Sequence, residues 1–263
     1  MDFIIKNGIV VTSTEMFKAD IAVTEGKISA IADDLNSDGI MTVEAKGKYV
    51  LPGAIDAHTH LAMPFGGTIS SDDYYSGTRA AACGGTTTVF DFVLQDFGET
   101  MVDAVKRRDA LCKDNAVVDY AFHVAIKDVS NGLIDKIEEA VKYGVPSFKV
   151  FMVYDFGVTD GVFYQVLKKA KECGALISVH AENNEMVNMF TKQFLSEGKT
   201  SAWYHYMSRP EFVEAEADKR AIEWAKSLDT PLYIVHLANK DGVKAVTKAR
   251  HAGYTIYAET CPQ

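Results

Sequence analysis

Two histidines stand at positions 58 and 60 of the run PGAIDAHTH. A spacing of i, i+2 on one strand projects both imidazoles from the same face, where they can chelate a divalent metal. An isolated pair of this kind reads more often as one hydrogen-bonded histidine beside one at the surface. Two further histidines, His180 in ISVHAE and His236 in YIVHLA, close later β-branched runs in the equivalent place. Four imidazoles at strand ends favour a metal centre over a chance pairing. Lys149 interrupts the apolar run SFKVFMVY. A buried ammonium is costly, and its ordinary resolutions are a head that reaches solvent or a carboxylate partner. A third is neutralisation: desolvation depresses the pKa, the free amine adds carbon dioxide, and the resulting carbamate is an anionic oxygen ligand able to bridge two metals. Beside four strand-end histidines, this third reading is favoured.

The elements that must position these groups alternate. From Tyr49 onward, seven apolar β-branched runs (YVLPGAIDAHTH, TTTVFDFV, VDYAFHVAI, SFKVFMV, ALISVHAE, PLYIVHLA, TIYAETC) are separated by amphipathic stretches, most of which end in glycine as a helix C-cap does. Continuous apolar strands imply a parallel sheet covered by helices. Polar residues gather toward the C-terminal ends of the runs: His58, His60, Asp91, His123, Lys149, His180, His236 and Glu259. Contributions from so many strands favour a (β/α)8 barrel over a doubly wound sheet, in which function concentrates at one switch point. The fold class expected is therefore α/β, a TIM-type barrel over residues 51–263 with about seven strands present and the eighth missing, as in a fragment. Residues 1–50 read as three strand segments, the second folded by a hairpin-type turn at Glu25-Gly26. This β-layer is too small to be stable alone and needs strands from elsewhere. Between His180 and Pro231 the repeat lengthens, a candidate substrate-side or oligomer-contact insertion.

Composition narrows the partners. The chain of 263 residues is 48% hydrophobic, enough for a sizeable core, and carries a net charge of −9. Its scattered Lys and Arg offer no footprint for nucleic acid or an anionic membrane, so a small molecule fits better. No apolar run approaches a bilayer span or a signal-peptide core, so a cytoplasmic location is expected. The four cysteines (83, 112, 173 and 261) form no CxxC pair and are expected to be buried, reduced thiols.

The stretch PGAIDAHTHLAMPFGGTISSDDYYSGTRAAACGGTTTVFDF, the strand FKVFMVY, HAEN at 180–183, YHYMSRPEFVEAEA and the terminal ETCPQ together resemble the N-terminal part of bacterial dihydropyrimidinases and D-hydantoinases, cyclic amidohydrolases of pyrimidine degradation. The resemblance runs over the whole chain. It implies two zinc ions per subunit: His58 and His60 on the more buried ion, His180 and His236 on the more exposed one, and a carboxylated Lys149 bridging them. A metal-bridging hydroxide would attack the ring carbonyl of a cyclic ureide or imide to give an N-carbamoyl amino acid. The same resemblance makes Tyr154 the donor to the developing oxyanion and assigns Met63, Phe65 and Phe151, with Tyr154, to the substrate pocket, although each is also explained by ordinary packing. It implies a homotetramer, a first 50 residues that begin a small β-sandwich, and an aspartate ligand on an eighth strand beyond this sequence, without which the 263 residues alone are expected to be inactive. His123, His205 and His251 match no ligand position and are read as structural or surface residues.

Neighbouring functions fit less well. A dihydroorotase usually carries an arginine shortly after the HxH pair, where this chain has Leu61-Ala62-Met63-Pro64. Allantoinase shares the two-metal site but commonly lacks the tyrosine at 154. A non-catalytic homologue of the collapsin-response type would have lost metal ligands, and all five testable here are present.

Overall fold

The structure is a computed structural model that describes residues 1–261, and the chain divides into two compact units. The first comprises Met1–Ile55 and Gly84–Thr87. Its sheet has five strands: β1 (Phe3–Val11), β2 (Met16–Thr24), β3 (Lys27–Ala32), β4 (Met41–Glu44) and β5 (Tyr49–Val50). They run in the order β3-β2-β1-β4, with β5 also on β1, antiparallel except where β4 and β5 meet β1. The Glu25-Gly26 turn has positive φ at both residues, the backbone that matches the twist of a two-residue hairpin. Sequence reading had TVEAKGKYV as one segment; it is two strands, separated by a turn at Gly47, whose φ of 74° a side chain resists. The ladder between β1 and β2 slips between Ile5 and Gly8. Buried Asp20 holds that bulge by accepting from the Asn7 and Leu35 N–H groups while pairing with Lys6 at 2.6 Å.

The second unit comprises Asp56–Cys83 and the chain from Thr88 onward. Its main sheet is built from β6 (Ala54–Thr59), β9 (Thr86–Leu94), β10 (Asp119–Ala125), β11 (Ser147–Phe151), β12 (Leu176–His180), β13 (Leu232–Ile234) and β14 (Ile256–Ala258); a two-residue ribbon, β7 (Pro64–Phe65) with β8 (Thr68–Ile69), follows β6. The order β6-β9-β10-β11-β12-β13-β14 follows the chain without reversal, and each pair from β9 to β14 is parallel. Winding in one direction, with helices between strands, is that of a (β/α)8 barrel wall rather than a doubly wound sheet. The run YVLPGAIDAHTH, expected as one strand, is split between the two sheets. Pro52 has no N–H to donate, and the chain leaves the first sheet at Val50 and enters the second at Ala54, passing Thr87 so closely that a side chain at Gly53 would collide with it.

Among the described residues, eight α-helices fill the crossovers: α1 (Tyr74–Cys83), α2 (Met101–Cys112), α3 (Lys136–Tyr143), α4 (Asp160–Cys173), α5 (Asn184–Ser196), α6 (Ala202–Met207), α7 (Glu211–Leu228) and α8 (Lys240–His251). Thr100, Thr159, Asn183 and Asn239 cap α2, α4, α5 and α8 through their side chains. The long segment between His180 and Pro231 carries three of the helices, α5 to α7. Alternation on the central strands sorts the side chains. Phe148, Val150, Ile177, Val179, Leu232 and Ile234 join the helix-side core with Ile137, Phe163, Leu167 and Ala221. Phe90, Phe92, His123, Ser147 and Ser178 line a cavity of about 230 Å³ on the other face. The four cysteines are free, but only Cys112, which packs into the helix-side core, is buried; Cys173 is half-buried, and Cys83 and Cys261, outside that core, are exposed. Among the described residues, no helix is long and apolar enough to cross a membrane.

Candidate active site

The expected imidazoles meet at one end of the parallel sheet. Thr59 Oγ1 donates to the Phe90 carbonyl at 3.0 Å and pins the end of β6 to β9. The flanking rings of His58 and His60 then stand edge to face, with their Nε2 atoms 3.1 Å apart. Contact continues from ring to ring: His58 to His236 with centroids 5.7 Å apart, and His236 to His180 at 4.6 Å. His180 is the last residue of β12, as alternation requires. His236 is different. It lies two residues past β13, where period 2 would turn it toward the helices with Ile234, but its backbone is left-handed at φ 40° and swings the ring to the His180 side. Ala62 and Tyr154 are also non-glycine residues with positive φ, so three such residues belong to this site.

Lys149 sits beneath the rings, 1% exposed, with Nζ 4.9 Å from the Phe92 ring centroid and 5.0 Å from that of Phe151. No carboxylate pairs with it among the described residues. Burial pulls its pKa down to about 7, against a weaker pull upward from Glu259, so the free amine is abundant near neutrality. Burial also lowers His236 to about 3, helped by His180 and Lys149, and depresses His60 and His180. These imidazoles are neutral and have lone pairs to give.

Neutral imidazoles around a buried amine suit a metal better than they suit each other. Two lone pairs facing each other repel unless a proton or a cation lies between them, and nitrogen ligands at about 2.0–2.1 Å on a tetrahedral zinc stand roughly 3.3 Å apart, close to the Nε2 separation of His58 and His60. Among the described residues, no three His, Cys, Asp or Glu side chains by themselves form a group able to hold an ion. The donor chemistry fits zinc only with Lys149 counted as an oxygen ligand.

Around the imidazoles lies an aromatic wall. Tyr154, on the loop after β11, has its ring 5.3 Å from His180 and 6.0 Å from Phe151. Burial and Glu182 raise its hydroxyl pKa, keeping it a donor. Phe65, on β7, meets Tyr154 edge to face at 5.5 Å, while Met63 is buried beside a 260 Å³ cavity that Phe65 and Phe156 also line. Phe65 and Phe151 thus adjoin Tyr154, while Met63 is placed only beside the cavity that Phe65 and Phe156 line. Phe156 was not anticipated, although its ring lies within 6.2 Å of Phe65, Phe151 and Tyr154; nothing in the hydrophobic pattern of its loop marks it. Phe92, the floor under His58 and His60, was legible from alternation with Phe90.

Asp91 does not join the site. On β9 it alternates with Phe90 and Phe92 and so faces the helices, where its carboxylate accepts from Arg108 Nε and Nη2, from the Tyr74 hydroxyl and from the Leu61 N–H. Arg108 also donates to the Leu61 and Ala62 carbonyls, clasping the loop that follows His60. His123 is satisfied internally, between Ser147 Oγ at 2.6 Å and the Ala57 carbonyl at 3.2 Å; His205 and His251 are exposed.

Comparison with known proteins finds relatives along the whole chain. A family profile described as "Amidohydrolase family" matches residues 49–215. The chain is 42% identical over 266 residues to a D-hydantoinase of Geobacillus stearothermophilus, covering all of this chain and 56% of that protein, and 42% identical over 260 residues to a dihydropyrimidinase of Dictyostelium discoideum, covering 97% and 52%. The crystal structure of dihydropyrimidinase from Brevibacillus agri NCHU1002 superposes with a TM-score of 0.97 at 42% identity, over all of this chain and 58% of that one. The chain thus spans a little over half the length of the relatives it matches.

Proposed function

Since this chain belongs to the amidohydrolase family, we propose that the protein is a hydrolase that opens cyclic amide rings, 5,6-dihydropyrimidines and hydantoins, to N-carbamoyl amino acids. The reading rests on Lys149: a lysine buried without a carboxylate, with its pKa near 7, among four imidazoles. Carbon dioxide adds to the free amine, a proton leaves nitrogen, and the carbamate becomes the oxygen donor that the histidines lack. His58 and His60 would hold one zinc, His180 and His236 the other, with carboxylated Lys149 between them. Zinc bound there would polarise the ring carbonyl and acidify water into a nucleophile near neutral pH.

The chain's own residues do the rest. Tyr154, kept protonated by burial, donates to the carbonyl oxygen as negative charge develops on it. Phe65, Phe151 and Phe156, with Met63, hold the ring substituent and exclude water from the opposite side. Exposed Trp203 and Tyr206 on α6, at 62% and 65%, are apolar surface that further copies in a cytoplasmic homotetramer would cover.

The test is to purify the full-length protein, count its zinc, and follow ring opening of dihydrouracil and a 5-phenylhydantoin. Two zinc ions per chain, turnover of either ring, and a kcat about 10²–10³-fold lower in Y154F are expected. Metal-free protein without turnover would sink the proposal.

A further inference from the structure

We propose that Glu259 and Glu182 are positioning residues of the metal centre, one for each ion, which fix the tautomers of His58 and His180. The inference rests on the two-zinc reading above and concerns what stands behind the ligands. A neutral imidazole has one N–H and one lone pair, and a carboxylate at one nitrogen draws the proton there and leaves the lone pair on the other. Glu259 Oε1 takes His58 Nδ1, so the lone pair of His58 sits on Nε2, the atom that faces His60. Glu182 Oε2 takes His180 Nε2 at 2.8 Å, which leaves Nδ1 as its donor atom. The two carboxylates thus engage opposite ring nitrogens, and each expected ion gains one carboxylate-backed imidazole. Among the described residues, neither His60 nor His236 has such a carboxylate.

Both carboxylates are themselves held, as a group that orients another must be. Glu259 Oε2 accepts from the Tyr233 hydroxyl at 2.9 Å. Its backbone, just past β14, is locked to the end of β13 and the turn after it, with its N–H on the Ile234 carbonyl and its carbonyl accepting from Leu237 N–H. Glu182 Oε1 pairs with Arg209 Nε at 3.2 Å, and Arg209 Nη1 is fixed by Ser208 Oγ and the His205 carbonyl. Partners of this kind behind a metal-bound histidine set ring orientation and basicity, and losing one typically weakens metal binding about 10–100-fold.

The experiment uses the full-length protein as wild type, E259A, E259Q, E182A and E182Q. Crystals equilibrated with graded zinc give each ion's occupancy separately from anomalous scattering at the zinc edge. Chelator competition gives the affinities, and melting of the metal-free proteins reports fold integrity. E259A is expected to weaken the ion at His58 and His60 about 10–100-fold and to leave the other unchanged; E182A does the converse. The near-isosteric glutamines keep an acceptor oxygen, preserve the metal-free melting temperature and show the same selectivity at roughly the 10-fold end. Variants that bind both ions as wild type does, or that lose both together, would overturn the inference. A wild type holding fewer than two ions would instead overturn the two-zinc reading, before any variant is compared.

Discussion

Arg108 and Lys149 are both buried cations of the same unit, 6% and 1% exposed, yet they are treated in opposite ways. Arg108 spends its donors on Asp91 and on two loop carbonyls, and stacks over the Tyr74 ring at 5.0 Å. Lys149 has two aromatic faces and no carboxylate. A paired and hydrogen-bonded charge stays charged and fixes geometry, here the loop after His60; an unpaired one gives up its proton and becomes reactive. The helix side of the sheet holds the clasp, and the inner face holds the chemistry.

The contrast can be broken most forcibly at Asp91. Replacing it in D91A strands the buried guanidinium, and a loss of about 3–5 kcal/mol is expected in denaturant unfolding. A loss under 1 kcal/mol would mean that the clasp is not what holds Arg108.

Asp218 is intermediate: fully buried on α7, with Oδ2 accepting from Asn239 at 2.9 Å and Oδ1 without a partner. Burial pushes its carboxyl up to about 7. Between about pH 4 and 7 the folded chain holds a proton that the unfolded chain has released, so stability falls as pH rises across that window and is flat below it. The fall should be on the order of 2–4 kcal/mol and should be absent in D218N, compared by unfolding at pH 4.5 and pH 8 as approximate ends of the window.

For Lys149 the sign reverses. K149M removes a buried polar group that has no partner, so the metal-free protein should gain roughly 1–2 kcal/mol while zinc binding, read by chelator competition, collapses. Destabilisation on the scale of D91A would make Lys149 a structural cation and erase the contrast. The smallest effect belongs to an exposed pair, Lys142 with Glu138 on α3, where K142A should leave stability close to that of the wild type in the same unfolding experiment. This calibrates how much of the charge effect comes from burial.

Much of the architecture was legible before any coordinates. Apolar runs with β-branched residues, separated by amphipathic stretches ending in glycine, specify strand and helix locally, because side-chain period and capping act over a few residues. His58, His60 and His180 were readable for the same reason: strand alternation dictates their side. Lys149 was readable as an anomaly, a charge inside an apolar run. Asp91 was misplaced because it was grouped by its position along the strand and not by its alternation with Phe90 and Phe92.

The rest depends on groups far apart in the chain, or on a single backbone angle. His58 and Glu259 are 201 residues apart, Arg108 and Leu61 are 47 apart, and the turn that brings His236 to His180 is a left-handed residue that no local propensity favours. By itself, then, the sequence determined the alternation of elements, the residue types able to bind metal and the face that each strand offers, since these follow from period and propensity. Only the tertiary structure decided which imidazole nitrogen meets a carboxylate, which buried charge is paired and which aromatic rings close the wall. Hydrogen bonding and desolvation act through distance in space, and folding alone sets that distance.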